Sequence, residues 1–314
     1  MSDRELLYLT VGGGAFLWGV SNVIKSKLLR GLDVHEDVMV VGMSFGIVLF
    51  CVASQVFWHG LTWPLVGGDF WLAFLVTAIL NVGIQYWSIK ALKIEDASIV
   101  APLAATMPAW VILMSWVLLG EWPTLYGRVG ITLVAVGAYI LNLKGSDVRL
   151  PKLLGRATPE KWHPTILFYL APWFRLALSK GARLALLTAY LGAVAINFDK
   201  ISTLASNPMI FEAGAFAVVG SFVYFWSKQS GRWDKLDKSR FRNVVLGVGL
   251  IMGLSSILMS AGFFYGIVPY VGTLKRTQIL WTVILAGMIL GEKHIAVKTA
   301  GAFTIFVGSL LLAF

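Results

Sequence analysis

Apolar residues run in blocks of about twenty down the whole chain, broken by short polar stretches, and no polar segment is long enough for a soluble domain. The blocks cover approximately residues 6–24, 38–58, 70–92, 96–119, 124–143, 182–204, 208–227, 243–266, 269–290 and 294–314. A helix of about twenty apolar residues crosses roughly 30 Å of hydrocarbon, and a helix satisfies all of its own backbone polar groups there. The pattern predicts an all-α membrane protein with ten transmembrane helices. Only five residues precede the first block, and Lys25 and Lys27 follow its apolar core, so it reads as an uncleaved span and not as a signal peptide.

Two of the segments repeat. LLGEWPTLYGRVGITLVAVGAYILNL, ending at Leu143, aligns without gaps on ILGEKHIAVKTAGAFTIFVGSLLLAF, ending at Phe314. At a constant offset of 171 residues, Gly120-Glu121 matches Gly291-Glu292, Gly130 matches Gly301, Gly137 matches Gly308 and Trp110 matches Trp281. More weakly, Asn22-Val-Ile-Lys25 in the first span answers Asn197-Phe-Asp-Lys200 in the sixth. Five spans repeated must enter the membrane from opposite sides, so two inverted-topology halves are expected, with a site near the midplane between them. The division is residues 1–143, a basic linker 144–181 carrying an interfacial helix rich in Trp and Tyr, and 182–314. Each Gly-Glu pair reads as a tight turn, the glycine ending one helix left-handed and the glutamate facing the N-terminus of the next. The glycines spaced seven apart allow helices to approach closely.

Composition agrees: 58% of residues are hydrophobic and 13% charged. The formal charge of +10 is concentrated in alternate loops, as insertion topology requires, and this reading displaces nucleic-acid binding. Those basic loops are expected on the cytoplasmic side of a plasma membrane, with both termini non-cytoplasmic. Cys51 is the single cysteine and the four histidines lack ligand spacing, so neither a disulfide nor a metal centre is expected, and no cofactor. No GxxxxGK[ST] loop is present, which argues against direct ATP hydrolysis.

The repeated order of a Pro-containing span, Leu-Gly-Glu and a Gly-rich span resembles the EamA-type repeat of the drug/metabolite transporter superfamily, over nearly the whole chain. The resemblance implies a ten-helix carrier with alternating access to a central cavity. Family members carry amino acids, other metabolites, nucleotide sugars, sugar phosphates or lipid-linked groups. The run Thr273-Leu-Lys-Arg-Thr277 further resembles the Lys-Arg pair that triose-phosphate translocators of this superfamily place in the penultimate helix to hold a phosphate.

Charges at membrane depth cost roughly 2.5–3.5 kcal/mol each, so they face a partner or a cavity. Lys275 and Arg276 in the ninth span, Asp199 and Lys200 in the sixth and Glu212 in the seventh fall at similar depth. Two compatible readings follow: the carboxylates neutralise two of the cations and fix packing, or Lys275 and Arg276 line the cavity and attract an anionic group. The corresponding residues of the first half are Ala104 and Ala105, so the charged chemistry belongs to the second. Neutral candidates are Asn22, Asn81, Gln85 and Gln278, with Trp18 and Tyr86 as an aromatic wall, each either joining helices or lining the cavity. Pro102, Pro108 and Pro269 are expected to kink or start helices.

The expected function is secondary transport of a small polar or anionic metabolite, not enzymatic catalysis. The alternatives are a flippase, or flippase subunit, for a lipid-linked group, and an enzyme acting on lipid. The partners are the substrate and the bilayer.

Overall fold

The computed structural model describes residues 1–32, 36–95, 97–143, 173, 176, 179–229, 238–290 and 295–312. Among them all regular structure is helical. In chain order the helices are α1 Asp3–Leu7, α2 Gly13–Leu32, α3 Glu36–His59, α4 Gly68–Ile94, α5 Ala97–Ala104, α6 Met107–Leu119 and α7 Leu125–Leu143. They are followed by α8 Lys180–Ala205, α9 Pro208–Lys228, α10 Lys238–Val244, α11 Leu250–Ala261, α12 Val268–Lys275, α13 Gln278–Leu290 and α14 Ile295–Leu311. A π-helical turn, Tyr8–Gly12, joins α1 to α2, and another, Val245–Gly249, joins α10 to α11. Seven helical stretches among the described residues are long and apolar enough to cross a membrane, and two apolar stretches, Leu125–Leu141 and Gly301–Leu311, are shorter.

Local chemistry sets the helix ends. Ser179 caps α8 by accepting from the N–H groups of Gly181 and Ala182, and Asn207 caps α9 by accepting from Ile210. Pro108, Pro208 and Pro269 each stand in a first turn, where a missing N–H costs nothing. Gly120 ends α6 at φ 68, the left-handed conformation expected of it. The expected interfacial helix and Gly291-Glu292 lie outside the described residues, apart from Trp173, Leu176 and residues 179–181.

The fourth and ninth apolar blocks depart from the expectation of continuous helices. Each is two helices, α5 with α6 and α12 with α13, interrupted at Ala105-Thr106 and at Arg276-Thr277. The breaks sit at the same point of the 171-residue offset and are made the same way. Thr106 Oγ1 donates to Leu103 O at 2.7 Å, and Thr277 Oγ1 donates to Leu274 O at 2.7 Å. The backbone N–H of each threonine bonds to that same carbonyl, at 3.2 and 3.0 Å, tightening the turn to i→i+3.

Helices from the two halves pack on each other. α3 lies against α9, α4 against α8, α7 against α14, α6 against α8, and α2 against both α11 and α13. The α7–α14 contact is set by the glycines matched in sequence, but crosswise. A Cβ on Gly130 would meet Gly308 O at 2.6 Å, and one on Gly137 would meet Gly301 O at 2.7 Å. The converse distances are 2.7 and 2.9 Å, so no side chain fits at any of the four positions without moving a helix.

Candidate substrate site

A cavity of about 470 Å³ opens among α2, α3, α4, α8, α9, α11 and the α12–α13 break. Helical periodicity brings its walls together: Trp18 and Lys25 are seven apart on α2, and Met252, Ser256 and Met259 share one face of α11. α9 contributes Phe211, Glu212, Ala215, Phe216 and Val219. Lys275, Arg276 and Gln278 enter from the broken ninth block, where the irregular backbone turns both cations toward the hollow. Met107, which matches Gln278 at the repeat offset, enters from the other break.

The charges have separate partners. Asp199 Oδ1 accepts from the Thr77 hydroxyl, whose oxygen in turn accepts from Asn81 Nδ2 at 3.2 Å. Glu212 is buried, 7% exposed, and its Oε1 accepts from the Ser260 hydroxyl. Lys275 lies within electrostatic reach of both carboxylates, and its Nζ sits 4.8 Å from the centroid of the Phe263 ring. Arg276 Nη2 donates to Met107 Sδ, a weak acceptor. Lys25 Nζ donates to Asn22 Oδ1 at 3.1 Å. Among the described residues none of the three cations makes an ion pair within 4 Å. With all groups ionised, three positive and two negative charges face one cavity, an excess of one positive charge.

Of the residues singled out from sequence, Trp18, Asn81, Lys275, Arg276, Gln278, Asp199 and Glu212 line this cavity. Lys200 does not. It leaves α8 about 100° around the helix from Asp199, and its Nζ pairs with Glu121 Oε1 at 2.5 Å and donates to Gly266 O at 3.1 Å. The other Glu121 oxygen accepts from Val268 N at 2.7 Å. That carboxylate therefore caps α12 in the other half, and not the helix that follows it, because α12 brings both an unsatisfied N–H and, through Gly266, the lysine's second acceptor. Tyr86 also stands apart from the cavity. It is 45% exposed, set edge-on to Trp226 at 6.4 Å, with Lys90 Nζ 5.8 Å from its ring. Asn22 lies behind the wall, joining Lys25 to Thr282 Oγ1, to which its Nδ2 donates at 3.3 Å. The side chain of Gln85 lies outside the described residues.

Sequence reasoning missed Lys25, Thr77, Ser260 and Met107. Lys25 was signalled by the match of Asn22-x-x-Lys25 to Asn197-x-x-Lys200, and Thr77 by standing one turn before Asn81. Ser260 carried no signal, because its partner Glu212 lies on another helix. No cluster of His, Cys, Asp or Glu among the described residues is arranged to hold a metal ion.

The fold is found elsewhere. A solved structure described as "Crystal structure of protein" superposes with a TM-score of 0.66 at 15% identity, covering 96% of this chain and 94% of that one. No curated protein matches. Residues 6–143, the whole run from the first apolar block to the end of α7, match the model of the EamA-like transporter family. That match spans 138 of the 314 residues and, with the long apolar helices, is consistent with a multi-pass membrane protein of the drug/metabolite transporter superfamily.

Proposed function

We propose that the chain is a secondary carrier for a small polar metabolite bearing an anionic group, working by alternating access around the charged cavity. The observation that carries this reading is the set of three cations, Lys25, Lys275 and Arg276, that face the hollow without an ion pair within 4 Å among the described residues. Buried cations are retained where a ligand or pathway uses them. A substrate anion would take the guanidinium fork of Arg276 in place of Met107 Sδ and draw Lys275 from its carboxylates.

The packing supports ten spans in two inverted halves. Exchanging each helix for its counterpart in the other half (α2 with α8, α3 with α9, α4 with α11, α6 with α13, α7 with α14) turns the six helix pairs named above into one another. The crosswise glycine contacts obey the same rule, since a two-fold interface pairs residue i with j and j with i. Broken helices at the centre of each half are what such carriers use to build a midplane site. The cavity walls run from that centre toward Lys25 and Val40, at the end bearing the basic loops. The opposite end is tied by Glu121 to Lys200 and Val268, by Thr124 to Tyr270 and by Asn207 to Gln55. In this reading the basic end is cytoplasmic in a plasma membrane, and the structure is closed to the other side.

The test is uptake or counterflow in liposomes across panels of amino acids, sugar phosphates and organic anions. Wild type is expected to move an anionic compound, and Lys275→Ala and Arg276→Ala to abolish that movement. Transport that survives both substitutions removes the pair from the mechanism, and a carrier that accepts only cations removes the anionic reading.

A further inference from the structure

A second hollow, of about 540 Å³, lies between α6 and α7, with Trp173 beside Tyr139 at one edge, away from the charged cavity. Its α6 wall includes Leu113, and its α7 wall is the stripe Thr132, Ala135, Val136 and Tyr139, spaced so that these residues share one helix face. The face is outward: Leu113 and Val136 are among the exposed apolar side chains, which in a membrane protein meet lipid. Arg128 continues the same stripe one turn before Thr132, whose hydroxyl donates to the Arg128 carbonyl at 2.8 Å. The Arg128 guanidinium lies 5.4 Å over the ring of Trp122, which itself lines the hollow. Arg128 Nε is buried and has no hydrogen-bond partner among the described residues, a donor that an acceptor at the head of the hollow would satisfy.

We propose that this hollow is a phospholipid site, with the phosphate on Arg128 beside Trp122 and one acyl chain lying along α7 as far as Tyr139. The dimensions fit. Eleven residues separate Arg128 from Tyr139, about 16 Å of helix at ~1.5 Å per residue, which is the depth of one leaflet in a hydrocarbon layer of roughly 30 Å. The chemistry fits at both ends. Guanidinium binds phosphate oxygens through paired N–H groups, and tryptophan sits at headgroup level, while the rest of the groove is almost wholly carbon and offers an acyl chain continuous contact. The site shares no lining residue with the charged cavity, so it stands or falls apart from the transport reading.

The experiment is native mass spectrometry of the purified full chain titrated with dioleoylphosphatidylglycerol, with dioleoylglycerol, which lacks the phosphate, and with glycerol phosphate, which lacks the chains. Wild type is expected to retain one phospholipid molecule, about tenfold more tightly than dioleoylglycerol, and glycerol phosphate is expected not to displace it. Arg128→Gln should remove that tenfold preference, and Ala135→Trp, which fills the groove, should weaken both lipids. Equal retention of phospholipid and diacylglycerol by wild type, or retention unchanged by both substitutions, overturns the proposal. Wild-type protein photolabelled with a phospholipid carrying a diazirine on one acyl chain decides the matter if a variant fails to fold. Label concentrated on α6 and α7 supports the site, and label spread evenly over the lipid-facing helices sinks it.

Discussion

Two lysines matched in the repeat show how side-chain partners separate a site from a strut. Lys25 faces the cavity and is held by a neutral amide, whereas its repeat counterpart Lys200 is held by the Glu121 carboxylate, with side-chain exposures of 13% and 14%. The two should respond differently to loss of charge. Lys25→Gln is expected to raise the apparent KM for an anionic substrate about tenfold with little change in melting temperature, since it removes one charge-assisted contact. Lys200→Gln is expected to leave KM nearly unchanged and to lower stability by about 1–3 kcal/mol, because Glu121 is then left partly buried without its cation. Uptake kinetics and thermal unfolding on the same two variants read both effects. A loss of stability in Lys25→Gln equal to that in Lys200→Gln would make Lys25 another strut.

At the scale of the helix, the glycines of α7 and α14 act through what they lack. A Cβ on Gly308 would stand 2.7 Å from Gly130 O and 2.8 Å from Val134 N, both backbone atoms that move only if the helices separate. Gly308→Ala is therefore expected to destabilise the fold by about 1–3 kcal/mol, as overpacking does. Gly247→Ala is the control, because a Cβ there meets nothing within 4 Å and the substitution favours helix. Thermal unfolding that ranks Gly247→Ala as the more damaging of the two would refute the close-contact account. The paired breaks at Thr106 and Thr277 belong to the same scale. Each places a cavity-lining residue, Met107 or Gln278, immediately after a turn whose carbonyl is taken by the threonine hydroxyl.

For the molecule as a whole, the transport reading requires the end tied by Glu121, Lys200 and Gly266 to open in every cycle. Cys51, the single native cysteine, is buried, so introduced thiols at this end can be read against a quiet background. Cysteines placed at Glu121 and Gly266 and bridged by a short reducible reagent are expected to stop uptake, with activity returning on reduction. Full transport through the bridged protein would show that this end does not open. The bilayer enters at this scale too, since seven helical stretches among the described residues are long and apolar enough to cross it.

Sequence alone determined the all-helical class with long apolar spans, the resemblance to EamA-like transporters and the presence of Lys275 and Arg276 inside an apolar block, because hydrophobic block length and a fixed 171-residue offset are one-dimensional signals. It also put Asp199 and Glu212 at a height similar to that pair, since rise per residue converts number into height, and all four line one cavity. Depth is not direction. Which way a side chain turns, and which helix stands opposite, depends on crossing geometry that no spacing encodes. Tertiary structure alone therefore sent Lys200 to Glu121, turned Tyr86 away from the cavity, brought Lys25 into it and seated Ser260 on Glu212. The physical reason is common to all four. A buried charge or polar group takes the nearest partner that satisfies it, and nearness between helices is settled only when they pack.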